Sequence, residues 1–170
     1  VADASCGIPI ILYNVPSRTG LNISIQALRE LAKIDNIVAI KEASGNISYT
    51  AQVAAEVPEL YLYSGNDDMI VPMLSIGGIG VISVVANVAP KQTHDMCQLY
   101  FDGNVKEAAK MQLEMMDLVE KLFIDVNPIP VKNAMNMMGF DVGECRLPLV
   151  RMSEEGRKNL MNELRKVELI

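Results

Sequence analysis

The sequence predicts an α/β protein in which a parallel sheet is followed by a segment of helices. Four short apolar runs, rich in Ile, Val and Tyr, occupy residues 8–13, 37–41, 60–63 and 81–85. These runs are nearly continuous rather than alternating, which is typical of strands buried on both faces of a parallel sheet. Helical patterns separate the runs, and the repeated order of strand and helix indicates this fold class.

Each of the first three strands is followed by a predicted helix. Ile25, Leu28 and Leu31 recur at a spacing of three after Ser24, a residue type that caps helix N-termini. The next helix is predicted after Ser48, with Ala51, Ala54 and Ala55 along it. The third is predicted after Asp67, with Ile70, Met73 and Leu74 along it.

From Pro90 onward the pattern is entirely helical, and Pro90 suits the first position of a helix. A long helix is predicted over residues 104–124, because its apolar residues recur in steps of three and four: Ala108, Met111, Met115, Leu118 and Leu122. We interpret this stripe as a helix–helix contact rather than an adaptable binding surface. A shorter helix is predicted from Pro130 to Gly139, and a last one after Ser153.

Four strand–helix units are half of a (β/α)8 TIM barrel, which usually has about 250 residues. The glycine loop expected early in an open nucleotide-binding sheet is not found, and the chain opens on Val1 shortly before its first strand. We therefore interpret the chain as the second half of a TIM barrel followed by a C-terminal helical segment. Residues 1–89 would form the back half of the barrel, and residues 90–170 its last helix and the helical segment.

Composition excludes several classes of function. Half of the 170 residues are apolar, which excludes a disordered chain. The net charge of −6 argues against nucleic acid as a partner, since phosphate binding needs a basic surface. No apolar run reaches the roughly 20 residues of a membrane span, and no leader sequence opens the chain, so we expect a soluble protein without a membrane partner.

Cysteine and histidine content limits the possible sites further. Cys6, Cys97 and Cys145 are far apart and include no CxxC pair, which argues against a disulfide framework or a zinc cluster and favours the cytoplasm. His94 is the only histidine, which argues against a histidine metal site and against a Ser-His-Asp triad.

Lys41 is the strongest candidate for a catalytic residue. It directly continues the apolar run 37–40, where a barrel strand is still buried and a charged amine is costly. Burial lowers the pKa of a lysine, and the neutral amine can attack a carbonyl to form a Schiff base. The alternative is a lysine that extends to the strand end or pairs with a carboxylate. Position alone leaves both open.

Tyr13 and Arg18 are candidates at the end of the preceding strand. The Tyr13 phenol could relay protons to and from a Schiff base, or it could simply cap the core. Arg18 lies in a loop stiffened by Pro16 and could bind a substrate carboxylate through its fork of donors, or it could be an ordinary surface arginine.

Five segments in chain order resemble a known enzyme family: YNVPSRTG at 13–20, IKEASGN at 40–46, YSGNDD at 63–68, GVISVVANVAP at 80–90 and NPIPVK at 127–132. They are similar to segments of the dihydrodipicolinate synthases, pyruvate-dependent class I aldolases whose superfamily includes N-acetylneuraminate lyase. The resemblance covers essentially the whole chain. SRTG and GVISVVANVA favour the synthases over the sialic-acid lyases.

The resemblance implies a role for each matching residue. Lys41 would form the Schiff base with pyruvate, and Tyr13 would relay protons. Arg18 would receive the carboxylate of aspartate semialdehyde, the Ile82 backbone carbonyl would face the site, and Gly65 would line the pyruvate pocket. The implied product is 4-hydroxy-tetrahydrodipicolinate, on the route to lysine and diaminopimelate. No metal or organic cofactor is implied, and the complete enzyme would be a homo-oligomer, a tetramer.

Two alternative functions stay open. The first is another aldolase of the same superfamily, and Arg18 is the residue that discriminates it from the synthase. The second is a catalytically silent half-barrel that needs a complementary chain. It arises because the family's front half, with a threonine pair and a second tyrosine, has no counterpart in these residues. Without such a front half, Lys41 would face water.

Overall fold

The computed structural model describes residues 1–170, which form two compact units, Val1–Ile82 and Ser83–Ile170. The first unit holds four strands: β1 (Ile10–Asn14), β2 (Ile37–Glu42), β3 (Tyr61–Ser64) and β4 (Gly80–Val81). It also holds four helices: α1 (Pro16–Thr19), α2 (Ile25–Leu31), α3 (Ile47–Glu56) and α4 (Ile70–Ser75). The assignment of residues 1–89 and 90–170 to a barrel part and a helical part stays a prediction.

The four strands form one sheet in the order β1-β2-β3-β4, and every neighbouring pair is parallel. Each strand lies beside the one before it without a change of direction. A doubly wound sheet reverses its strand order at a switch point, whereas a TIM barrel does not. The prediction of an α/β fold with consecutive parallel strands is therefore confirmed.

One face of this sheet is covered by helices. Ile40 of β2 and Leu62 of β3 lie on that face and pack with Leu28 of α2, Val53 of α3 and Met73 of α4 in one buried cluster. Burying each such side chain contributes about 1.5–3 kcal/mol. Because side chains alternate along a strand, the neighbouring residue Lys41 points to the opposite face.

Side-chain caps start two of these helices. The Ser24 hydroxyl accepts a hydrogen bond from the Ala27 amide at 3.1 Å, as predicted for α2. The prediction that Ser48 precedes α3 is wrong, because Ser48 already lies inside the helix. Asn46 is the cap, and its side-chain oxygen accepts from the Tyr49 amide at 3.0 Å.

The second unit is helical. It contains α5 (Pro90–Phe101), α6 (Val105–Glu114), α7 (Met116–Leu122), α8 (Ile129–Met137) and α9 (Glu154–Lys166). Pro90 is the first residue of α5, and the Ser153 hydroxyl caps α9 by accepting from the Gly156 amide at 3.1 Å, both as predicted. None of the helices in the chain combines the length and the apolar composition that a membrane span requires.

Two predicted elements differ from the structure. The single helix predicted over 104–124 is divided at Met115 into α6 and α7, although Ala108, Leu118 and Leu122 of its apolar stripe are buried as expected. The strand predicted over 81–85 ends at Val81. Beyond it the Ser83 hydroxyl accepts from the Ala86 amide at 2.8 Å, and this turn leads into a 3-10 helix over Val85–Asn87.

Candidate active site

Lys41 and Tyr13 face each other across neighbouring strands. They are register partners in the β1–β2 pairing, so their side chains leave the sheet on the same face. The Lys41 Nζ lies 4.4 Å from the centroid of the Tyr13 ring. Tyr63 is the register partner of Lys41 on β3, so Lys41 lies in a row between two tyrosines. The site lies at the carboxyl ends of the strands, where ligands bind in parallel α/β folds.

The environment of Lys41 favours its neutral form. Burial lowers the pKa of this half-buried amine, the positive charge of Arg18 lowers it further, and the negative charge of Asp67 acts in the opposite direction. Burial has the largest effect of the three because a charged amine loses hydration there. A larger fraction of Lys41 is therefore neutral at a given pH than of an exposed lysine, and the neutral amine is the form that attacks a carbonyl.

Arg18 lies on α1, the single turn that follows β1. Pro16 starts this turn with its fixed φ, and Gly20 ends it in the left-handed region at φ 72°. The exposed guanidinium of Arg18 makes no salt bridge within the chain. Its donors are thus available to an incoming carboxylate, which an arginine can bind in a bidentate geometry.

Gly65 follows β3 and must be a glycine for a local reason. A Cβ at this position would lie 2.6 Å from the Ala43 Cβ and 3.0 Å from the Glu42 carbonyl oxygen. The Gly65 amide donates to that same carbonyl at 2.7 Å, so the chain after β3 lies directly against the chain after β2. This close approach holds the backbone beside the strand end that carries Lys41.

Ile82 follows β4, and its amide donates to the Ser64 carbonyl at 2.8 Å. The structure brings Lys41 and Tyr13 into contact, and it brings the Arg18 charge within range of Lys41. The roles assigned to Lys41, Tyr13, Arg18, Gly65 and Ile82 all stay predictions.

Sequence reasoning missed two buried polar residues beside this site, Asn14 and Glu42. Both are 1% exposed, and the Asn14 Nδ2 donates to the Glu42 Oε2 at 2.6 Å. They stand 28 positions apart, as Tyr13 and Lys41 do, since 42 − 14 and 41 − 13 are equal. This repeated spacing was the available signal, because residues that follow two register partners are register partners themselves.

The arrangement supports a defined kind of chemistry. A lysine with a lowered pKa can add to a ketone, and a phenol beside it can exchange protons with the intermediates. An unpaired guanidinium at the same edge of the sheet can hold an anionic substrate. These are the parts that an aldolase with a covalent lysine intermediate needs.

Comparison with known proteins agrees with this chemistry. A model of the dihydrodipicolinate synthetase family matches residues 1–167. The chain belongs to this family. Among the curated members, the 4-hydroxy-tetrahydrodipicolinate synthase of Caldicellulosiruptor bescii is 57% identical over 157 residues, which cover 92% of this chain and 53% of that protein.

Solved structures of family members share the fold. The dihydrodipicolinate synthase of Cyanidioschyzon merolae, solved with lysine bound, superposes with a TM-score of 0.94 at 38% identity, covering 99% of this chain and 58% of the other. A monomeric dihydrodipicolinate synthase variant gives a TM-score of 0.90 at 40% identity, with 95% and 55% covered. The chain spans about half the length of the relatives it matches, in agreement with part of a TIM barrel.

Proposed function

We propose that this chain provides the Schiff-base lysine of a 4-hydroxy-tetrahydrodipicolinate synthase, which condenses pyruvate with L-aspartate 4-semialdehyde in lysine and diaminopimelate biosynthesis. The observation that carries the proposal is the Lys41 amine, half-buried, with a lowered pKa and 4.4 Å from the Tyr13 ring. Membership of the family supports it independently.

The proposed reaction starts when the neutral Lys41 amine adds to the ketone carbon of pyruvate. Loss of water gives an iminium, and loss of a proton from the methyl group gives the enamine. The enamine carbon then forms a bond to the aldehyde carbon of the semialdehyde, and the aldehyde oxygen takes up a proton. The substrate's own amino group finally displaces Lys41, which closes the ring and frees the enzyme. Tyr13 is the proposed carrier of the protons that these steps exchange.

Arg18 is proposed to select the second substrate. Its unpaired guanidinium would bind the carboxylate of the semialdehyde. The Ile82 carbonyl and the backbone at Gly65 are proposed to line the pyruvate side of the site. Another aldolase of the N-acetylneuraminate lyase superfamily would use the same lysine with a different acceptor, so Arg18 distinguishes the two reactions.

The first test is to trap the Schiff base. The protein, purified as its gene encodes it, is incubated with pyruvate and borohydride, and the modified peptide is located by mass spectrometry. We expect one reduced pyruvate adduct on Lys41 and none in Lys41→Arg, which keeps the charge but cannot form the imine. An adduct on an exposed lysine such as Lys33, or no adduct, would refute the proposal.

We further propose a cytoplasmic location and a homo-oligomeric, tetrameric assembly. Cys6, Cys97 and Cys145 are all free thiols, which fits a reducing compartment. The assembly is proposed from the family resemblance, and the monomeric variant among its relatives makes the oligomeric state a quantity to measure.

A further inference from the structure

A carboxylate is buried on the covered face of the sheet, directly beside Lys41 in the sequence. Glu42 is 1% exposed and shares its face with the core residue Ile40, where an apolar side chain would be the ordinary choice. Its Oε2 accepts from the Asn14 Nδ2 at 2.6 Å, and its Oε1 accepts from the Ser44 amide at 2.5 Å. No salt bridge neutralises it. A buried charge held only by hydrogen bonds is costly and calls for a reason.

Asn14 connects this carboxylate to the loop that carries Arg18. Its Nδ2 also donates to the Asn22 Oδ1 at 3.1 Å, and its Oδ1 accepts from the Ile23 amide at 3.0 Å. Asn22 and Ile23 close the loop over residues 15–23, which begins directly after β1. Both polar atoms of the Asn14 side chain are therefore hydrogen-bonded, either to Glu42 of β2 or to the residues that end this loop.

Tyr49 of α3 holds the same loop from the other side. Its hydroxyl donates to the Ile23 carbonyl at 2.6 Å, so both polar backbone groups of Ile23 are bound. Burial and the nearby Glu42 charge raise the pKa of Tyr49 to about 12, which keeps the phenol protonated as a donor.

We propose that Asn14, Glu42 and Tyr49 are positioning residues that fix the Arg18 loop relative to Lys41. This inference rests on the proposed function. β2 carries both Lys41 and Glu42 on opposite faces, so anchoring the loop to Glu42 ties the carboxylate-binding arginine to the strand of the nucleophile. The buried charge is explained because only a strong acceptor holds the Asn14 amide in this orientation.

The test separates binding of the second substrate from formation of the Schiff base. Asn14→Asp keeps the shape of the side chain but places a second carboxylate against Glu42, which frees the loop. In the protein as its gene encodes it, we expect KM for aspartate semialdehyde to rise between about 10- and 100-fold, the range that a small misplacement costs. The rate of pyruvate trapping on Lys41, measured at a pH above the pKa of the amine where the position of the Arg18 charge no longer affects it, should stay unchanged, whereas general misfolding would lower both.

A second substitution supplies the rescue. In the double variant Asn14→Asp/Glu42→Gln, the glutamine amide can donate to the new carboxylate on β1 and its oxygen can accept from the Ser44 amide, which restores the pairing with a single charge. KM should return toward the original value.

Tyr49→Phe, which removes only the hydroxyl, should also raise KM for aspartate semialdehyde. It tests the same inference if Asn14→Asp does not fold. The control is Asn36→Asp, the same exchange at an amide that bonds Ala2 and Ser5 and should leave KM unchanged.

The outcomes distinguish the inference from the proposed function. If the unsubstituted protein forms no adduct on Lys41, the proposed function fails and this inference falls with it. If that protein forms the adduct and condenses the two substrates, but Asn14→Asp and Tyr49→Phe keep KM within twofold, the inference alone is wrong. A fall in trapping rate equal to the loss of condensation would also overturn it.

Discussion

Two charges act on Lys41 in opposite directions. The Arg18 guanidinium lowers the pKa of the amine, and the Asp67 carboxylate raises it, while burial supplies the largest lowering. Arg18 therefore has a second consequence besides its proposed role in binding a carboxylate. It increases the fraction of neutral Lys41 amine at any pH below the pKa.

Removing the Arg18 charge should shift the pH dependence of pyruvate trapping. The trapping rate rises with pH as Lys41 loses its proton and levels off above its pKa. Arg18→Ala removes a like charge, so the midpoint should move to higher pH and the rate at neutral pH should fall. Arg18→Lys keeps the charge and should leave the midpoint in place. The measurement is the trapping rate over a pH series, and the shift should shrink in high salt, which screens the charge. Equal midpoints in all three proteins at low salt would contradict this.

The residues that sequence reasoning identified are those with conspicuous chemistry. Lys41 stands out because it places a charge at the end of an apolar strand, and Arg18 because it lies in a stiff loop. Asn14 and Glu42 were missed because their function depends on being buried together, which needs the register of β1 against β2. Glu42 points away from Lys41 because side chains alternate along a strand, but nothing local shows that an asparagine on the neighbouring strand binds it.

At the scale of elements, side-chain caps mark where α2, α3 and α9 begin. α3 begins at Ile47 because Asn46 accepts from the Tyr49 amide, whereas Ser48 lies within the first turn. Asn46→Ala should lower the free energy of unfolding by about 1 kcal/mol. Ser48→Ala, at an equally exposed position, should change it by less than about 0.5 kcal/mol. Urea unfolding of both variants measures the difference, and an equal or larger loss in Ser48→Ala would contradict the assignment of the cap.

Elements set by the hydrophobic pattern were predicted well, whereas the cap of α3 and the end of β4 were not. β1, β2 and β3 lie close to their predicted positions, and α9 begins after Ser153 as expected. The run of valines after Val81 has strand composition, yet Ser83 accepts from the Ala86 amide and turns the chain. The local hydrogen bond outweighs the strand propensity of these valines. Val85 and Val88 are buried although they belong to no strand.

At the scale of the whole molecule, the sheet has one face that its helices do not cover and that carries exposed apolar side chains. Lys41 and Tyr13 share this face with Ile11 and Tyr61, which are 44% and 60% exposed. β1 and β4 are the two edge strands, and neither pairs with the other. A closed barrel has no edges and fills its interior with such side chains. In this chain Ile11 and Tyr61 on that face are exposed, and β1 and β4 each pair with only one strand.

The 170-residue chain alone should therefore self-associate through this face. Sedimentation velocity over a concentration series should show a weight-average mass that rises with concentration. Ile11→Lys/Tyr61→Lys places two like charges on the face and should move the association to higher concentration. Leu147→Lys is the matched control, because Leu147 is 85% exposed in the helical unit and lies outside the sheet. A monomer at every concentration, or an equal effect of the control, would show that the uncovered face does not drive association, and the interpretation of the chain as a half-barrel that needs a complementary chain would lose its physical basis.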